Sequence, residues 1–248
     1  MSDDDTRNVL VLHQILALTD VNFKTRSVHG FTELTMAPLS DRINLINLNC
    51  KQCKIYSIYF NGVYEADFDY YDPALMKSNE TRRDLFTYLS QEEQATIAVD
   101  ADEGNGELCI RVPDEFQHEM MMASDEKKSF VFKLAIEFGV DNPRGGIKFH
   151  QNRSAQDSFL CSVDSNAHYW FPCVYSTNEL NTWKIEITVQ KEYNVIASGE
   201  LIEVEFVKKN HHQQQQQQDL MMDAEIDRDG NTNIDESRIF HFYLNKPT

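Results

Sequence analysis

From Thr182 to Val189 the side chains take turns: Trp183, Ile185, Ile187 and Val189 are apolar, while Thr182, Lys184, Glu186 and Thr188 are polar. A repeat of two is the period of an extended chain whose successive side chains point to opposite faces, so the stretch predicts a β-strand with one buried and one wet face. The most regular alternation is Phe130 to Phe138, in which Phe130, Phe132, Leu134, Ile136 and Phe138 are separated by Val131, Lys133, Ala135 and Glu137. Weaker forms predict strands over Leu10 to Leu18, Gly30 to Met36, Ile43 to Leu48 and Lys54 to Phe60. Asn61-Gly62, a pair suited to tight hairpins, then turns the chain into a return strand over Val63 to Tyr71.

Further along, Glu107 to Val112 predicts a strand ended by Pro113, and Pro113 to Ser124 a helical turn. Asn142 to Gly146 is a turn that launches Ile147 to His150. Tyr193 to Ser198 and Leu201 to Lys208 read as a hairpin about Gly199, and Arg238 to Leu244 as a later return strand. Two stretches lack such a pattern. Residues 74–102 are polar, with Leu85, Tyr88 and Leu89 at a spacing that suggests at most a short helix. Residues 209–237 hold His211-His212, a polyglutamine run from Gln213 to Gln218 and an Asp/Asn/Gly-rich segment, a composition unable to bury enough apolar surface to order itself. The expected fold is all-β: one antiparallel saddle or β-sandwich domain over residues 1–248, with disordered insertions at about 74–102 and 209–237.

Composition sharpens this picture. With 248 residues, 41% hydrophobic and 11% aromatic, the chain can build a sizeable core. The formal net charge of −17 argues against direct binding to phosphate backbones, which needs a basic stripe, whereas this chain has only pairs such as Arg82-Arg83, Lys127-Lys128 and Lys208-Lys209. The acidic start, Met1 to Asp5, lacks the positive charge of a secretory signal, and His13 and Gln14 break the apolar run from Val9 to Leu18. Neither export nor a membrane span is expected. The five cysteines, Cys50, Cys53, Cys109, Cys161 and Cys173, are then expected as reduced thiols.

Candidate chemistry is sparse. His118-Glu119-Met120-Met121-Met122 approaches the H-E-x-x-H arrangement, in which two imidazoles one helical turn apart bind zinc, but Met122 stands at the second ligand position. Cys50-Lys51-Gln52-Cys53 has the spacing of half a zinc knuckle with no second pair, and reads as an ordinary turn. Residues 225–236 carry acidic groups at positions 1, 3, 5 and 12 of a calcium-type loop, without flanking amphipathic helices. No catalytic residue, metal site, cofactor or small-molecule substrate is expected. The densest apolar cluster is Tyr169-Trp170-Phe171-Pro172-Cys173, just before the strand that contains Trp183. It reads as a packed corner beside its partner strand, or as a binding surface.

At this corner a resemblance emerges. Phe171-Pro172-Cys173, followed by an aromatic-Lys-aliphatic strand, is similar to the N-terminal domain of the gluzincin zinc aminopeptidases, although His168 stands where those enzymes have Arg, and Tyr175-Ser176-Thr177 where they have an acidic pair and Pro. Trp170-Phe171-Pro172-Cys173-Val174 with Glu179-Leu180 and Thr182-Trp183-Lys184-Ile185-Glu186 resembles the aminopeptidase-like region of the TFIID subunit 2 family of TBP-associated factors. Three further stretches, Val28 to Thr35, Asn49 to Tyr56 and Gly104 to Pro113, carry the same likeness in order. The resemblance implies a non-catalytic structural subunit of a nuclear transcription complex, with TBP and other TFIID subunits as partners and promoter DNA engaged only through the assembled complex. It also implies that Trp170, Phe171, Pro172, Cys173 and Trp183 form an interface toward a following catalytic-like domain, which this chain stops short of. Two other readings stay open: the first domain of a truncated zinc aminopeptidase, and an unrelated β-sandwich adaptor.

Overall fold

The computed structural model describes residues 8–246 except 41, 71–107, 126–129, 151–157, 163–166, 175–179 and 210–234. The insertion expected at 74–102 and most of the one at 209–237, the calcium-type loop up to residue 234 and Tyr175 to Thr177 therefore lie outside the described residues.

Chain order runs β1 (Val9–Asn22), β2 (Ser27–Pro38), β3 (Leu45–Leu48), β4 (Lys54–Phe60), β5 (Tyr64–Glu65), β6 (Phe68–Tyr70), β7 (Leu108–Arg111), α1 (Asp114–Asp125), β8 (Phe132–Asp141), β9 (Ile147–His150), β10 (Phe159–Ser162), a 3-10 turn at Ala167–Tyr169, β11 (Thr182–Gln190), β12 (Glu200–Lys209) and β13 (Asp235–Leu244). Eight of these strands form one sheet in the order β12-β13-β11-β1-β2-β8-β4-β5. A second sheet is ordered β3-β7-β6, and β9 pairs with β10. The all-β architecture is the one expected, with one departure from antiparallel pairing: β1 and β11 run parallel, Leu16 opposite Ile185.

Alternation places the core. In β8, Phe132, Leu134, Ile136, Phe138 and Val140 are buried, while Lys133 and Glu137 are exposed. Across the ladder Leu134 lies opposite Leu34, and Ile136 opposite Thr32. The smaller sheet contributes Ile46, Leu48, Leu108 and Ile110 to the same buried cluster. Burying each such side chain contributes roughly 1.5–3 kcal/mol, so the two layers hold each other by their inward rows. The helical turn expected after Pro113 is a helix of 12 residues, because Phe116 and Met120, one turn apart, have a shared apolar site to fill. The Phe116 ring lies 4.7 Å from that of Phe60 and 5.3 Å from that of Phe132. His118 and Glu119 sit on the exposed side of α1.

Other expectations change in detail. The return from Asn61-Gly62 divides into β5, which pairs with β4, and β6, which joins the smaller sheet. Tyr193 to Ser198 is not a strand. Tyr193 instead stacks on Phe23 with centroids 4.6 Å apart, and Arg238 binds the Tyr193 carbonyl, which holds the segment off the ladder. β12 pairs instead with β13, the return strand expected at Arg238 to Leu244 beyond the insertion. Gly199 has φ +99°, and a Cβ there would lie 2.7 Å from the Tyr243 carbonyl oxygen. A side chain at the turn would therefore be strained twice over.

A candidate interface at the aromatic corner

The corner opens with the 3-10 turn, in which the amides of Trp170 and Phe171 both donate to the Ala167 carbonyl, at 3.0 and 3.3 Å. Pro172, which has no amide hydrogen, releases the chain from that turn into an extended segment. Cys173 then exchanges hydrogen bonds with Asn49: the Asn49 amide donates to the Cys173 carbonyl at 2.9 Å, and the Cys173 amide to the Asn49 carbonyl at 3.1 Å. The corner is thus stitched to the segment before β4 and makes no ladder with β11. The expected pairing with β11 gives way because β11 already has β1 on one side and β13 on the other.

That segment is the Cys50-to-Cys53 stretch, and its polar atoms serve the corner. The Lys51 amide donates to the His168 carbonyl at 2.7 Å. The Gln52 side chain bridges two loops: Nε2 donates to the carbonyls of Tyr169 at 2.7 Å and Gly145 at 3.0 Å, and Oε1 accepts the Arg144 amide at 2.9 Å. To point there Gln52 adopts φ +49°, a conformation uncommon for a side chain of its kind. The Lys51 ammonium stands 4.5 Å from the Tyr169 ring centroid. Cys50 and Cys53 are fully buried, and the Cys53 amide donates to the Tyr70 hydroxyl at 3.1 Å.

From the large sheet comes Gln14, only 1% exposed. Its Nε2 donates to the Pro172 carbonyl at 3.2 Å and to the Thr32 hydroxyl at 2.8 Å, and that hydroxyl in turn donates to the Ile15 carbonyl at 3.0 Å. A buried amide that satisfies a proline carbonyl ties the corner to β1 and β2.

The five residues singled out at the corner come together in space. Trp170 and Phe171 meet edge to face at 4.6 Å, and Phe171 and Trp183 at 6.1 Å. Phe171, Pro172 and Cys173 are buried, while Trp170 and Trp183 are half-buried. In β11 every residue from Thr182 to Val189 is half-buried, in place of one covered and one wet face. The reason is position: β11 lies where the large sheet runs past its core, and no residue of β12 or β13 belongs to the core cluster.

Gln14 and Gln52 were not legible as anchors. Gln14 left one trace, a polar residue inside an apolar strand, whereas nothing in the sequence distinguishes Gln52 from a surface glutamine.

No family model matches the chain. Among curated proteins it is 37% identical over 212 residues to transcription initiation factor TFIID subunit 2 of Gallus gallus, a match covering 82% of this chain and 18% of that protein. To the Drosophila melanogaster protein of the same name it is 34% identical over 203 residues, 77% of this chain and 16% of that one. For the Schizosaccharomyces pombe counterpart the figures are 28% over 195 residues, 72% and 15%. The chain thus spans less than a fifth of the length of these relatives. Among solved structures, yeast LTA4 hydrolase in complex with bestatin superposes with a TM-score of 0.54 at 16% identity, over 97% of this chain and 27% of that one. The M1 zinc metallopeptidase from Deinococcus radiodurans gives 0.53 at 13% identity, over 97% of this chain and 40% of that one. These likenesses establish the fold, that of the N-terminal domain of M1 aminopeptidases, and nothing of their chemistry.

Proposed function

Over the part it spans, the chain belongs to the TFIID subunit 2 family of transcription initiation factors, and from that premise we propose that it serves as a non-catalytic structural module of TFIID in the nucleus. It helps the complex assemble and engage core-promoter DNA, with TBP and the other subunits as partners. The observation that carries this reading is 37% identity sustained over 82% of the chain to a protein of that name. The charge of −17 supports placing DNA contact with the assembled complex rather than with this module.

The corner is the module's contact with the domain that follows in the full-length product. Phe171, Pro172 and Cys173 are its buried root, fixed by Gln14 and Asn49, and Trp170 and Trp183 are the half-covered rings it presents. Large aromatic rings held rigid by buried neighbours lose little freedom on docking, which suits them to an interface.

The rival reading is a working aminopeptidase, and the fold alone does not separate the two. The full-length product, supplied with zinc and a panel of aminoacyl substrates, is expected to give no hydrolysis above buffer. Zinc-dependent turnover in that assay would overturn the structural reading.

A further inference from the structure

One side of β12 carries no partner strand among the described residues, because β12 ends the eight-stranded sheet. Its side chains are among the most exposed apolar groups described: Phe206 is 78% exposed, Ile202 58% and Leu201 48%. Open edges are usually kept short or guarded by charge, since their free amides and carbonyls invite another strand. This one is 10 residues long.

Register defines what each side of the edge offers. Leu201 lies opposite Phe242, Val204 opposite Phe240 and Phe206 opposite Arg238, so these three continue the face of the buried Phe240 and Phe242. Glu200, Glu203 and Glu205 lie opposite Tyr243, His241 and Ile239 on the other face. The register shift between Leu201 and Glu203 places Ile202 at the bulge. Glu205 is 3.5 Å from His241 Nε2, and Glu200 and Glu203 make no ion pair with another described residue.

We propose that the free edge of β12 is a docking site for an extended segment of another protein in which basic and apolar residues alternate. Such a segment would extend the ladder with its backbone, lay its apolar side chains beside Leu201, Val204 and Phe206, and set Lys or Arg beside Glu200, Glu203 and Glu205. The charge selects the occupant. A second copy pairing edge to edge would bring another chain of net charge −17 against this one, and in the parallel register would set its glutamates against these. The glutamates thus discourage self-pairing and admit a basic strand. This inference does not depend on the TFIID reading.

The test uses the 248-residue chain and a fluorescent ten-residue peptide that alternates Lys with Val. Beside it run a scrambled peptide of the same composition and an alternating peptide N-methylated at every second amide. The alternating peptide is expected to bind at least tenfold tighter than either control. Its binding should slow amide hydrogen exchange in β12 and weaken at least tenfold with Glu203→Lys/Glu205→Lys, a surface change that leaves the unfolding midpoint in place. Equal binding of the scrambled or N-methylated peptide, or no slowing of exchange in β12, would overturn the proposal. So would self-association of the chain that Phe206→Lys abolishes, since the edge would then belong to a second copy.

Discussion

Replacing Gln14 by Leu keeps approximate volume at a site that is 1% exposed and removes the amide that donates to both Pro172 and Thr32. Two buried hydrogen bonds are lost. The Thr32 hydroxyl keeps its bond to the Ile15 carbonyl, whereas the Pro172 carbonyl loses its donor. A buried acceptor left bare costs about 1–3 kcal/mol, and the second bond adds about 1 kcal/mol, partly offset by the apolar surface of Leu. The net loss is about 2–3 kcal/mol, roughly 4–12 °C in the thermal midpoint for a chain of this size. Thr32→Val, which removes the hydroxyl and leaves Gln14 bound to Pro172, is expected to cost about 1 kcal/mol. The two should not add, because both act on the Gln14–Thr32 bond. Urea unfolding can be followed at the corner itself, since Trp170 and Trp183 are the only tryptophans in the chain. Far-ultraviolet circular dichroism follows the sheet. In Gln14→Leu the fluorescence transition is expected to move to lower urea and to precede the dichroism. A neutral or stabilising Gln14→Leu, or additive single changes, would refute the idea that this amide pins the corner.

Other changes follow from the same geometry. Gly30→Ala places a Cβ 2.2 Å from the Ala17 carbonyl oxygen, so the β1–β2 ladder must shift, at about 1–3 kcal/mol by chemical denaturation. The His13 imidazole titrates below its ordinary range, chiefly because burial disfavours its charged form, with a hydrogen bond to Thr182 acting the other way. The unfolded chain therefore takes up that proton first as the pH falls, so stability should decline from neutral pH through the ordinary imidazole range until the lowered folded value is passed. Denaturation at a series of pH values should show a shallower decline for His13→Asn. In a mobility-shift assay the chain alone is expected to bind promoter DNA weakly and to release it at physiological salt, and tight sequence-dependent binding would contradict the proposed role.

Most of the sheet was legible because burial on one face writes itself into the sequence as alternation: β8 and β4 have the parity that Phe132 to Phe138 and Ile58 to Phe60 announce. Three features were not. The parallel pairing of β1 with β11 joins residues about 170 apart, and alternation says nothing of which strands are neighbours. Tyr193 to Ser198 has strand-like composition, but its stacking on Phe23 depends on tertiary placement. At the corner the aromatic residues were conspicuous and their supports were not. Gln14 and Gln52 act through side-chain hydrogen bonds and Asn49 through its backbone amide and carbonyl, and none of these has a periodicity to betray it. Gly30 lies in the Val28 to Thr35 stretch that carries the family likeness, and its close approach to Ala17 gives that glycine a physical reason.

The central claim is that an aminopeptidase-like fold serves here as a part of TFIID. Affinity purification of the tagged full-length product from nuclear extract, read by mass spectrometry, tests it most directly. Recovery of TBP together with other TFIID subunits, above an untagged control, is the predicted result, and a purification that yields the product without them would contradict it.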